Sequence, residues 1–217
     1  MRLPALALLP LLAPTLAAEP VADRQLSVTL ERLAGESWAA VEPGRVLEQG
    51  DQVRFRIASN LDGRLYVFNR NAEGASNLIF PREEIGADNA LAPNHELLLP
   101  PGGDAFEISG PPGYEVVRWV VSPSDRPLGR TEIARFLAPP TASRPRPPLL
   151  APSCDDTVLR SRSICVDNQA GAQSFADAPP GLAARAIEIG GDEKTAVVSA
   201  STSQDGVLVF EYRIAHR

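Results

Sequence analysis

Two cysteines, Cys154 and Cys165, carry the most definite chemistry in this chain, and they are its only cysteines. In an oxidising compartment two lone cysteines pair, so a Cys154–Cys165 disulfide is expected. A loop of about 12 residues closed this way contributes up to about 3 kcal/mol. Two thiols without a nearby His leave a coordination sphere half empty, so no metal site is expected. A Cys–His nucleophile would need a free thiol, and the two histidines, His95 and His216, read as ordinary polar residues. No Gly-x-Ser-x-Gly elbow, phosphate-binding loop or dinucleotide fingerprint occurs; Pro101-Gly102-Gly103-Asp104 lacks the Lys and helix that must follow. Asn69-Arg70-Asn71-Ala72-Glu73-Gly74 opens like a calcium loop, but its twelfth position is Phe80 and not a bidentate Glu, so it reads as a hairpin turn. The acidic pairs Asp155-Asp156 and Asp192-Glu193 read as solvated surface charge. No catalytic residue and no cofactor is assigned. Carboxylates distant in sequence leave open one enzymatic alternative, a hydrolase with a dispersed site.

The elements that would position any site are short strands. Leu26, Val28 and Leu30 alternate with Ser27 and Thr29, and Val53, Phe55 and Ile57 alternate with Arg54, Arg56 and Ala58. That period of two gives one apolar and one polar face. The runs at 64–69 and 114–121 are apolar on both faces and need cover on each side. Shorter strand candidates are 77–80, 96–99 and 105–108. Turn residues separate them at Gly50-Asp51, Asp62-Gly63, Glu73-Gly74 and Pro111-Pro112-Gly113. Seven or so short strands predict an all-β, antiparallel, immunoglobulin-like sandwich. A five-residue loop from Ser59 to Gly63, slightly favoured over a two-residue Asp62-Gly63 turn that would pair Ile57 with Phe68, would make a hairpin pairing Ile57 with Leu65 and Phe55 with Val67. Its other face would set Arg56 against Tyr66 and Arg54 against Phe68, in cation–π contact. Arg54, Arg56, Tyr66, Phe68 and Trp119 are therefore the candidate binding residues. Trp38, Tyr66, Phe68 and Trp119 suit core packing better than a peptide or glycan groove.

The first 18 residues begin Met1-Arg2, continue as Leu, Ala and Pro, and end in small residues before Glu19, as a secretory signal peptide does. They are too short and too proline-broken to span a membrane, so the mature chain has no membrane span. Of the 21 basic residues only Lys194 is a lysine, a bias associated with GC-rich bacterial genomes. A formal net charge of −6 argues against nucleic acid as a partner. A periplasmic or secreted location follows.

The order of the turn and core residues carries a resemblance. Gly50-Asp51 precedes an alternating strand, and Ser59 to Gly63 leads into Leu65-Tyr66-Val67-Phe68-Asn69. Gly74, Leu78-Ile79-Phe80-Pro81, Leu99-Pro100 and Gly110-Pro111-Pro112-Gly113 then follow. Over roughly 24–125 the chain resembles the bacterial domain-of-unknown-function family numbered 4384, found in exported proteins and beside caspase-like or kinase-like modules. The resemblance implies a small β-rich accessory or binding module and carries over no catalytic residue. Position 64 is Arg where the family often carries an aromatic.

At the end of this domain (19–138), residues 131–137 predict a short helix capped by Thr131, with Ile133, Phe136 and Leu137 on one face. Six prolines in the 14 residues 139–152 read as a linker. The remaining 153–217 hold three strand candidates, at 186–189, 195–200 and 207–214, a meagre core for an independent domain. The last of these is expected to dock on the first domain. The functional expectation is a non-enzymatic accessory module of the cell envelope that binds a protein or peptide; the alternatives are the exported hydrolase and a structural envelope protein.

Overall fold

Alternation sorts the side chains of each strand to two sides of a sheet, and two such sheets stack here. The computed structural model describes residues 24–138, 152–154, 157, 164–173, 186–189, 194–200 and 206–217. The expected signal peptide (1–18), all but the last residue of the Pro-rich segment, and both acidic pairs lie outside the described residues. The elements are β1 (Arg24–Ala34), β2 (Ser37–Ala40), β3 (Gln52–Ser59), β4 (Gly63–Arg70), β5 (Ser76–Phe80), β6 (Ala90–Leu91), β7 (His95–Leu99), β8 (Phe106–Glu107), β9 (Gly113–Pro123), α1 (Arg130–Leu137), β10 (Gly171–Gln173), β11 (Ala186–Ile189), β12 (Thr195–Ala200) and β13 (Leu208–His216). One sheet has the order β11-β12-β1-β3-β7, with β2 also on β1 and β8 on β3; the other has the order β10-β13-β9-β4-β5, with β6 on β4. All of these ladders are antiparallel. The protein is an all-β sandwich, and the short helix α1 lies against it.

The expected hairpin between β3 and β4 does not form. β3 pairs with β1 and β7, while β4 pairs with β9 and β5. Residues 59–63 instead carry the chain from one sheet to the other. The physical reason is that Val53, Phe55 and Ile57 on β3 and Leu65 and Val67 on β4 are both core-facing sets. Stacked face to face they exclude water from both, which edge-to-edge pairing would not do. The crossover requires Gly63, where a Cβ would lie 2.6 Å from the Ser122 carbonyl oxygen. The Arg56–Tyr66 and Arg54–Phe68 contacts are absent with the hairpin.

Between the sheets, Trp119 is fully buried, edge-on to Phe55 (ring centroids 4.8 Å apart) and stacked on Phe210 (6.1 Å). Leu26, Val28, Leu30 and Phe55 meet Leu65, Val117, Leu208 and Tyr212 in the same core. The Tyr212 hydroxyl has no hydrogen-bond partner, and burial pushes its pKa up.

The outer face of the second sheet is apolar too, as the two-faced runs require. Tyr66, Phe68, Val120 and Val209 are covered there by Leu128, Phe136 and Val207. Residues 124–138, ending in α1, supply much of that cover. The Phe68 and Phe136 rings lie 5.2 Å apart, Arg118 Nη1 donates to the Phe136 carbonyl at 3.0 Å, and the Leu128 N–H donates to Tyr66 Oη at 3.0 Å. The helix is capped two residues earlier than expected: Gly129, not Thr131, is its N-cap, and the Gly129 N–H donates to Glu132 Oε2 at 2.9 Å. Glu132 makes this possible by standing three residues on, where its carboxylate folds back over the first turn.

The C-terminal strand is not a cover but a member of the sheet. β13 pairs with β9 at nine positions, from Leu208↔Val121 to His216↔Gly113. Its Leu208, Phe210, Tyr212 and Ile214 point into the inter-sheet core. β12 likewise fills the first sheet beside β1. Cys154 and Cys165 are disulfide-bonded, and they pack with Val46, Tyr114 and Ala215 in a third cluster. The fully buried Asp167 carboxylate fastens this end, accepting from Tyr114 Oη and from the Ser153 and Gln169 N–H groups.

Candidate functional site

The five sequence-derived binding residues fall on three different surfaces. Trp119 lies in the inter-sheet core, and Tyr66 and Phe68 lie beneath the 124–138 cover. Arg54 and Arg56 lie on the outer face of the first sheet, where the polar positions of β1 and β3 meet. There Glu31, only 5% exposed, accepts from Arg54 Nε at 2.6 Å and from Arg56 Nε at 2.7 Å. Arg56 also reaches Glu96, and the Arg54 guanidinium lies 4.2 Å from the Trp38 ring centroid. The cation–π contact expected of Arg54 thus goes to Trp38, its neighbour across β1 on β2. Through these contacts the two arginines tie β3 to β1, β2 and β7.

That ladder has a pH signature. Burial by itself would raise the Glu31 carboxyl, but hydrogen bonds from Arg56 and Arg54, with their charges, outweigh it and hold the pKa below the usual range. The stabilisation is therefore complete above the ordinary carboxylate value near 4.5 and is lost as pH falls through the lower folded value. Replacing Glu31→Gln is expected to cost about 1–3 kcal/mol at pH 7. Urea midpoints of both proteins at pH 7 and pH 3 check this: the gap should narrow in acid, and an equal gap at both would refute it.

A different set of residues is brought together at one end of the sandwich. β4 turns into β5 here, and residues 106–111 lead into β9 on the opposite side. The β4–β5 turn is closed by Asn71, whose Oδ1 accepts from the Ala75 N–H at 2.8 Å, and Gly74 takes the left-handed φ of +90°. Residues 69–74 are thus a hairpin turn, as read from sequence. Between this turn and residues 106–111 opens a cleft of about 400 Å³. Its floor is apolar: Val53 and Phe55 from β3, Ile79 from β5, Val117 from β9 and Ile214 from β13. Its rim is polar: Asn69, Glu73, Asn77, Glu107 and Glu115.

Asn69 and Glu115 are diagonal cross-strand neighbours on β4 and β9, adjacent strands of one sheet. Asn69 Nδ2 donates to Glu115 Oε2 at 2.6 Å. A carboxylate only accepts, so it fixes which end of the amide faces it. Asn69 Oδ1 is then left buried and without a partner. Behind them His216, 1% exposed, sets its Nε2 3.8 Å from Glu115 Oε1, and that nitrogen has no hydrogen-bond partner either.

No single stretch of sequence signals this cleft. The amides and Glu73 of the 69–77 hairpin are visible as a cluster, but Glu115 and Ile214 join it through strand pairing within one sheet, and Glu107 reaches it from the opposite sheet. Among the described residues no group of three or more His, Cys, Asp or Glu is placed to hold a metal ion, and no helix is long and apolar enough to cross a membrane. No curated protein and no solved structure matches the chain. Residues 46–125, from just ahead of β3 to just past β9, match the family model described as Domain of unknown function (DUF4384), the family that their turn and core residues resemble.

Proposed function

We propose that this chain is an exported, non-enzymatic binding module of the bacterial cell envelope that takes hold of a protein or peptide at the loop end of its sandwich. The observation that carries this reading is the cleft between the sheets, walled by residues 69–77 and 106–111, with an apolar floor and a buried, unpaired amide oxygen at its edge. Clefts of that size, mostly apolar with a few placed polar groups, are where proteins seat ligands. Loops on a rigid β scaffold are where binding residues concentrate. The Cys154–Cys165 disulfide supports an oxidising compartment, periplasmic or extracellular.

A photoreactive residue placed at Glu73 or Ser109 in living cells tests this, with one at Glu36, in the β1–β2 turn outside the cleft, as control. A single protein adduct reproducible from both cleft positions and missing from position 36 is expected. No adduct, or the same adducts from all three, would overturn the reading. A second reading, a hydrolase at the same cleft, is favoured by the presence of Glu73, Glu107 and Glu115 along one rim. Turnover of an envelope glycan that disappears in Glu115→Gln would establish it in place of the first.

A further inference from the structure

The chemistry of the cleft narrows what it takes. Three carboxylates, Glu73, Glu107 and Glu115, line it, and no Lys or Arg does. Among the described residues neither Glu73 nor Glu107 is in a salt bridge, and both are exposed. Elsewhere some acids are paired, Glu31 with Arg54 and Arg56, Glu211 with Arg118 and Glu48 with Arg217, while other exposed acids such as Glu36, Glu83 and Asp104 stand, among the described residues, outside any ion pair. The cleft therefore gathers three carboxylates over an apolar floor, two of them, among the described residues, without an ion-pair partner and the third, Glu115, beside the His216 imidazole.

Asn69 adds a directional feature. With its amide nitrogen committed to Glu115, its free Oδ1 offers only an acceptor. A buried acceptor without a donor is costly and is satisfied by a ligand that brings one. Carboxylates that accept, an amide that accepts and an apolar floor ask for one kind of guest. It carries positive charge and several N–H donors on an aliphatic stem, because the stem covers the floor while the head meets the rim.

We infer that the cleft receives an arginine or lysine side chain of a partner polypeptide, with Glu115 and Asn69 Oδ1 meeting the cationic head and Phe55, Ile79 and Val117 covering its stem. This rests on the binding reading above and gives it a ligand class.

Titration of the disulfide-intact chain with N-acetyl-arginine methylamide, N-acetyl-lysine methylamide and N-acetyl-norleucine methylamide, followed by amide NMR, tests it. The two cationic probes should shift the side-chain amide resonances of Asn69 and Asn77. The norleucine probe should bind about tenfold more weakly or worse. Glu115→Gln should weaken the cationic probes about tenfold and leave the norleucine probe unchanged. Should that variant fail to fold, the double change Glu73→Gln with Glu107→Gln, both at exposed positions, should weaken them about threefold, with the loss shrinking in high salt. Equal binding of the norleucine and arginine probes, or arginine binding indifferent to all these changes, would overturn the inference. Adducts from position 73 that persist while no cationic probe binds would overturn the charge assignment alone. Failure of both the adducts and the probes would overturn the cleft as a binding site.

Discussion

Removing residues 207–217 is expected to abolish cooperative folding. β13 is an interior strand, hydrogen-bonded to β9 on one edge and to β10 on the other. Leu208, Phe210, Tyr212 and Ile214 all point into the inter-sheet core, and Val209 lies under the opposite cover. Burying each such side chain is worth about 1.5–3 kcal/mol, and a domain's whole margin is only about 5–15 kcal/mol. The truncated chain should therefore show no sigmoidal urea transition and should aggregate, since β9 is left as a long, flat, apolar edge. A soluble monomer with a melt as sharp as that of the whole chain would show that the sandwich closes without β13. The same reasoning applies to the family-matched stretch by itself. Residues 46–125 contain β3 and β9 but lack β1 and β13, the strands that flank them. Expressed alone, that stretch should be insoluble, and a soluble, cooperatively folding fragment would show otherwise.

Trp119→Ala should be the most damaging single substitution. The indole is wholly buried, meets Phe55 edge-on and stacks on Phe210 at an interplanar angle of 11°. It touches an aromatic ring from each sheet. Truncation to Ala removes that contact and leaves a void the stiff sheets cannot close, at a cost of about 3–5 kcal/mol. Trp119→Phe should cost less, and not only because more volume is kept. The indole Nε1 has no hydrogen-bond partner, so the smaller ring also removes an unpaired buried donor. Urea unfolding of both variants at pH 7 checks the order. An Ala variant within about 1 kcal/mol of the parent would mean that the core relaxes around the gap.

The pattern of residues shows what can be read without coordinates. Period-two alternation places Leu26, Val28 and Leu30, and Val53, Phe55 and Ile57, on inward faces, because a strand has only two sides. Apolar runs on both faces at 64–69 and 114–121 indicate strands covered twice, as β4 and β9 are. What covers them is not legible in that pattern: β13 extends the sheet, and residues 124–138 close its outer side. Pairing is harder still. The stretch from Ala58 to Arg64 has the composition of a hairpin turn, yet it joins the two sheets, because local turn chemistry does not say which edge a strand will find. The short strands β2, β6 and β10 leave no periodic trace, since two to four residues hold too few alternations. The cleft is hidden for the same reason as the pairings. Asn69 and Glu115 are separated by 46 residues in sequence and meet only across β4 and β9.

The interior place of β13 has a consequence for how the molecule comes into being. β1 must also wait for a late partner: the Thr29 hydroxyl meets that of Thr195, 166 residues further along. As the chain leaves the ribosome its first strand has no finished sheet to join, and the other sheet stays open until residue 216 has emerged. Early fragments can pair β1 with β2 and β3, but the sandwich closes only when β12 and β13 arrive near the end of synthesis.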